Sequence, residues 1–102
     1  MSFGGYIKAF GKQPGHPYHA VWIKNDIKEL QRFVGGYVEA VDITDDITVL
    51  CNEDGRFWEM PHNCAVCGID FVGPILIVGV EDEEMTDIPE GAIEFIESNT
   101  EE

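Results

Sequence analysis

The sequence predicts an α+β domain: a mostly antiparallel sheet of about five or six strands, one short helix after the second strand, and a C-terminal amphipathic helix. Three observations carry that prediction. Short β-branched and aromatic runs alternate with turn formers through most of the chain. Val34-Gly35-Gly36 closes a helical pattern and opens an extended one, and Asp54-Gly55 stands between two strand-like runs as a hairpin signal. At 102 residues the chain fits a single domain, 1–102, built on one core.

Taken in order, Tyr6 to Phe10 has strand composition, with Gly4-Gly5 before it and Gly11 after it. Gln13-Pro14-Gly15-His16-Pro17 is a loop, because two prolines and a glycine deny both helix and ladder. Tyr18 to Ile23 is a second strand. Asn25 is positioned as the N-cap of a helix from Asp26 to Val34, with Asp26 and Glu29 in the first turn and Ile27, Leu30, Phe33 and Val34 on one face. Gly35 supplies the left-handed residue that ends such a helix.

Beyond the glycines, Tyr37 to Ile43, Ile47 to Cys51 and Arg56 to Met60 read as a three-stranded meander, turned at Thr44-Asp45-Asp46 and at Asp54-Gly55. Pro61 ends it, and His62 to Gly68 reads as irregular. Ile75-Leu76-Ile77-Val78 is apolar on both faces, the mark of a strand buried from both sides. In the last segment Asp87 is placed to cap a helix entered through Pro89. Its inward stripe is Ile88, Ala92, Phe95 and Ile96, and Glu90, Glu94, Glu97 and Glu101 fall on an outward line.

Charge is the most unusual global property. Twenty acidic residues oppose six basic ones, for a formal net charge of −14, and hydrophobic residues at 44% keep the chain in the folded class. Residues 1–56 hold all six Lys and Arg with eight acids, whereas residues 57–102 hold twelve acids and no base. Such a balance argues against direct contact with nucleic acid or anionic membrane and favours a basic protein partner. The longest apolar run, Pro74 to Val80, is strand-sized, so no membrane span is expected. Three cysteines and no secretion signal point to the cytoplasm and to free thiols.

Several pieces in order resemble a known family. They are Val34-Gly35-Gly36-Tyr37-Val38-Glu39-Ala40-Val41, Cys51-Asn52-Glu53-Asp54-Gly55-Arg56, Met60-Pro61-His62-Asn63, Gly73 through Gly79, and Met85-Thr86-Asp87-Ile88. The set, spanning Ile23 to Phe95, resembles the domain-of-unknown-function family numbered 3846. That resemblance implies a bacterial mobile element, phage or plasmid, and a cytoplasmic protein, and it assigns no activity. The chain departs from the family pattern in its cysteines at Cys64 and Cys67 and in a shorter Asn63 to Gly73 segment.

Candidate chemistry is sparse. His62, Cys64 and Cys67 with Cys51 have the soft ligands zinc takes, but a zinc signature supplies two chelating pairs and this sequence has one. The expectation is no cofactor, with zinc as the alternative. Cys64-Ala65-Val66-Cys67 lacks the following helix that activates a redox pair. The two serines, Ser2 and Ser98, sit near the ends, and a Cys64–His62 pair two residues apart is poorly placed for nucleophilic catalysis. Gly35-Gly36 follows a helix, so it cannot cradle phosphate at a helix N-terminus.

The expected function is therefore non-enzymatic: a small acidic accessory protein acting by binding, as an acidic inhibitor or DNA mimic of a host factor. Glu90, Glu94, Glu97 and Glu101 would carry carboxylates at roughly 5 to 6 Å spacing on a helix, comparable to charge spacing along nucleic acid. The alternative is a small-molecule or nucleotide-binding module with an aromatic pocket at Trp22 or Trp58. Glu39, Asn52 and Glu53, whose polarity exceeds what turn and strand geometry demand, complete the candidate binding residues together with Asn63. Phe57 and Trp58 also offer a patch through which two copies could pair as a homodimer.

Overall fold

A computed structural model describes residues 5–102; Ser2 and Gly4 lie outside them. The elements are β1 (Tyr6–Lys12), β2 (His19–Lys24), α1 (Ile27–Val34), β3 (Val38–Thr44), β4 (Ile47–Asn52), β5 (His62–Val66), β6 (Ile69–Val72), β7 (Ile75–Glu81), β8 (Glu84–Thr86), α2 (Ala92–Ser98) and β9 (Thr100–Glu101). The class is α+β, as expected. A six-stranded antiparallel sheet runs β2-β1-β7-β4-β3 with β8 also on β7, and a second sheet, β6-β5-β9, was not anticipated.

The apolar run of β7 explains the layering. Leu76 and Val78 face α1 and pack with Ile7, Ala9, Ile23, Leu30 and Leu50. Ile75 and Ile77 face the other way, into a cluster with Ile47, Val49, Cys51, Cys64, Val66, Phe71, Ile88, Ala92 and Ile96 from β4, the small sheet and the α2 region. A strand covered on both faces has no solvent side, so its sequence loses the alternation seen in edge strands. The sheet is thus the middle of three layers.

Helix α1 begins one residue later than the Asn25 cap predicted. Asp26 is the cap: its backbone is extended and its carboxylate accepts from the Lys28 N–H at 2.8 Å. At the other end Gly35 is left-handed, φ 85°, and donates its N–H to the Gln31 carbonyl. A side chain at Gly36 would meet the Asn52 amide at 2.8 Å, so the second glycine is required by a close approach.

The expected hairpin at Asp54-Gly55 does not form. Asn52 Oδ1 accepts from the Asp54 N–H at 2.7 Å, and this local bond diverts the chain into successive turns, with Trp58 N–H donating to Asp54 O and Met60 N–H to Gly55 O. Arg56 to Met60 is therefore not a strand. The segment expected to be irregular supplies the hairpin instead: β5 and β6 are joined by Cys67-Gly68, with φ of 50° and 83°, the two-residue turn whose twist matches the strands.

The C-terminal helix is shorter than expected and differently capped. Asp87 accepts the Lys8 N–H at 2.8 Å, tying the segment to β1, and Gly91 precedes the first helical turn. Phe95 is exposed; Ile88, Ala92 and Ile96 face the core. The outward line of four glutamates is likewise corrected. Glu94 and Glu97 are on α2, but Glu90 precedes it and Glu101 lies in β9, paired with Ala65 of β5. A seven-residue helix cannot carry a row that spans twelve positions.

Candidate functional site

Where β3 and β4 end over β6, the two sheets leave a cleft of about 240 Å³. Glu39, Val41, Cys51, Asn52, Glu53 and Arg56 line one side and Ile69 to Val72 the other. Register builds it: Glu39 is paired with Cys51 across β3–β4, so both side chains point to the face on which the small sheet packs. Arg56, the one base in residues 34–102, donates to the Asp70 carbonyl at 3.0 Å across the mouth. Glu39, Glu53 and Asp70 leave the opening negative.

A second depression adjoins the first through Asn52, lined by Gln31, Gly35, Gly36, Tyr37, Asp54 and Trp58. Its rim is aromatic and open. Tyr37 is 67% exposed, Phe57 77% and Trp58 67%, and Phe57 and Trp58 meet edge to face at 5.0 Å between centroids. The turns after Asn52 place them there: a strand over Arg56 to Met60 would have put adjacent side chains on opposite faces, whereas the successive turns bring the Phe57 and Trp58 rings into contact. Glu39, Glu53 and Trp58, chosen from the sequence, thus share one region of the surface.

The two candidate asparagines have structural work. Asn52 is buried, donates to the Val34 carbonyl at the end of α1 and accepts from Asp54. Asn63 is buried too; its amide donates to the Lys12 and Gly73 carbonyls, each at 2.8 Å, and its oxygen accepts from the Lys12 ammonium at 2.9 Å. Trp22 sits elsewhere, exposed on edge strand β2. Exposed Glu90, Glu94 and Glu97 are separate from the cleft, as is Glu101.

The proposed metal ligands are not brought together. Among the described residues no group of three or more His, Cys, Asp or Glu is arranged to hold a metal. A register shift between His62 and Cys64 puts Asn63 and Cys64 inside and leaves His62 exposed, while Cys67 is at the exposed hairpin turn. Cys51 is buried, and burial together with the Glu39 carboxylate pushes its pKa up to about 11.

Sequence reasoning missed the buried polar group under β1. Lys12 is 1% exposed, and its ammonium also reaches the Glu102 carboxylate at 3.3 Å. Tyr18 donates to the Thr100 hydroxyl at 2.9 Å, which donates to Ile96 O. Burial raises the Tyr18 and Cys64 pKa values; Thr100 offsets the first in part, and Lys12 and Tyr18 the second. Ending the first strand at Phe10 hid this group, because two more residues of alternation place Lys12 on the inward face.

Fold and cleft together define a small two-sheet α+β domain with an acidic, aromatic-rimmed surface site. The chain belongs to the family described as Domain of unknown function (DUF3846), whose model matches residues 7–100. No curated protein and no solved structure matches it. No helix among the described residues is long and apolar enough to cross a membrane.

Proposed function

We propose that this is a non-enzymatic binding protein whose site is the aromatic rim Tyr37, Phe57 and Trp58 with the carboxylates of Glu39, Glu53 and Asp70, and that its partner is a basic protein segment. The observation that carries the reading is the three aromatic side chains left in solvent beside a negatively lined cleft. Ring faces and carboxylates both attract ammonium and guanidinium groups, and aromatic anchors dominate the energetics of protein interfaces. The mobile-element setting that the family resemblance implies would place such a binding protein in the bacterial cytoplasm. Acidity acts here through a site and not through a DNA-like helix.

The alternative of an enclosed small-molecule pocket receives less support. The cleft of about 240 Å³ falls below the roughly 300–1,000 Å³ of ordinary ligand pockets, the depression at Trp58, about 310 Å³, only reaches the lower end of that range and is open to solvent, and Trp22 lines neither. Buried Cys51 and Cys64, with raised pKa values, are held as neutral thiols, which favours binding over nucleophilic chemistry. A basic peptide containing arginine and tyrosine, titrated calorimetrically, tests the proposal. Binding should weaken with salt and be lost in Tyr37→Ala/Trp58→Ala and in Glu53→Gln. Equal binding by the parent chain and these variants would overturn it.

A further inference from the structure

Opposite the aromatic cleft, the other edge of the large sheet carries a second open surface of reversed charge. Cross-strand pairing sets Tyr6 against Lys24 and Lys8 against Trp22, so all four side chains stand on one face of β1–β2. Their neighbours Ile7, Ala9 and Ile23 point to the other face, under α1. Neither the small sheet nor α2 covers the four: Tyr6 is 66% exposed, Trp22 62%, and both lysines are exposed. Two large rings interleaved with two ammonium groups form an apolar, basic patch on a chain of net charge −14.

Basic charge is confined to this end of the sequence. Residues 1–33 hold five bases and two acids, and residues 34–102 hold one base and eighteen acids. Lys12 is buried and Arg32 is engaged with Glu29 at 2.9 Å, which leaves Lys8, Lys24 and Lys28 as exposed cations of this segment without a salt bridge. The molecule measures 35 × 28 × 21 Å, several times the screening length of about 8 Å at physiological ionic strength. Asp87 stands against this face with its carboxylate bound to the Lys8 N–H, so a partner there meets Lys8 and Lys24 with that one acid beside them, while acids at the far edge of the sheet are screened.

We propose that the partner of the aromatic, acidic site is the β1–β2 face of a second copy of the chain, joined head to tail. This rests on the site assignment made above and names its occupant. Complementarity is the argument: the site offers Tyr37, Phe57, Trp58 and carboxylates, and the face offers Tyr6, Trp22 and two lysines. One lies at the β2 edge and the other at the β3 edge of the same sheet. The contact is heterologous, so each copy keeps one free half and association extends until it closes into a ring or runs on as a chain.

Sedimentation of the intact chain near physiological ionic strength provides the test. The weight-average mass of the parent chain rises above the 11.4 kDa monomer with concentration and falls back in high salt. Trp22→Ala/Lys24→Glu removes the face and Tyr37→Ala/Trp58→Ala removes the site; each variant, with circular dichroism unchanged, stays monomeric. Mixed in equal amounts they form a pair of twice the monomer mass and nothing larger, since one intact half remains on each. A monomeric parent chain, or a mixture that fails to pair while the parent associates, overturns the proposal.

The basic peptide separates this failure from failure of the site. If the chain is monomeric yet the peptide binds and Tyr37→Ala/Trp58→Ala abolishes that binding, the site stands and the second copy is rejected. If neither binds, both are rejected. Quenching of Trp22 by a single-stranded oligonucleotide, with the parent chain monomeric, would assign the β1–β2 face to nucleic acid and reject the second copy.

Discussion

Individual side chains divide into those that hold the fold and those left over for contact. Asn63 is the clearest of the first kind, because one amide satisfies two buried carbonyls and a buried ammonium. Asn63→Ala should lower stability by about 3 kcal/mol or more, as an unpaired buried charge and two orphaned acceptors are each costly; a urea unfolding curve measures it. Its polarity was visible in the sequence, but nothing local said that the polarity was spent inside. The thiols separate in the same way. Cys67 should react rapidly with a disulfide reagent in the native protein, while Cys51 and Cys64 react at the rate of opening and reach full stoichiometry only on denaturation. For Cys51 the folded pKa lies near 11 against a reference of 9.0, so between those values the unfolded chain has released a proton that the native chain still holds. That contribution to stability is complete below pH 9 and is lost as pH rises through about 11, and Cys51→Val should flatten the fall in melting temperature over that window.

At the scale of elements, turns set what is legible in the sequence. Helix α1 and the left-handed Gly35 were legible because cap and stop are written in adjacent residues. The Asp54-Gly55 hairpin was misread because the preceding Asn52 competes for the backbone, and the Cys67-Gly68 hairpin was missed because cysteine is an unusual residue at the first position of such a turn. The same reasoning predicts that Cys67→Asn raises stability by about 0.5 kcal/mol, asparagine tolerating positive φ better, whereas Gly68→Ala costs about 1 kcal/mol; thermal melts of both variants check this. At the β7–β8 turn Glu81 and Glu84 face each other across the ladder, and Asp82 and Glu83 between them both have positive φ. Glu84→Lys replaces a like-charge pair by an opposite one and should stabilise by about 0.5 to 1 kcal/mol.

At the scale of the whole molecule, total charge was legible and its distribution was only half so. The sequence located the excess acid in the C-terminal half, but the expectation of a single acidic helix failed because α2 stops at Ser98 and Glu101 enters a strand of the second sheet. The cleft was unreadable for the same reason: it exists only where β6 of that sheet approaches the β3–β4 edge, a pairing with no local signal. What the charge does to stability follows from a comparison of attractions with repulsions. Among the described residues there are two ion pairs, Lys12 with Glu102 and the exposed Glu29 with Arg32, against a net charge of −14. Salt has little attraction to weaken, since an exposed pair contributes at most about 1 kcal/mol, and much repulsion to screen, since the Debye length shrinks from about 30 Å at 0.01 M to about 3 Å at 1 M. The melting temperature should therefore rise steadily with sodium chloride over that range, with most of the gain below about 0.15 M, where the screening length first becomes shorter than the molecule. A melting temperature that falls with added salt would mean that favourable ion pairing outweighs the repulsion, and the two pairs seen here are too few for that.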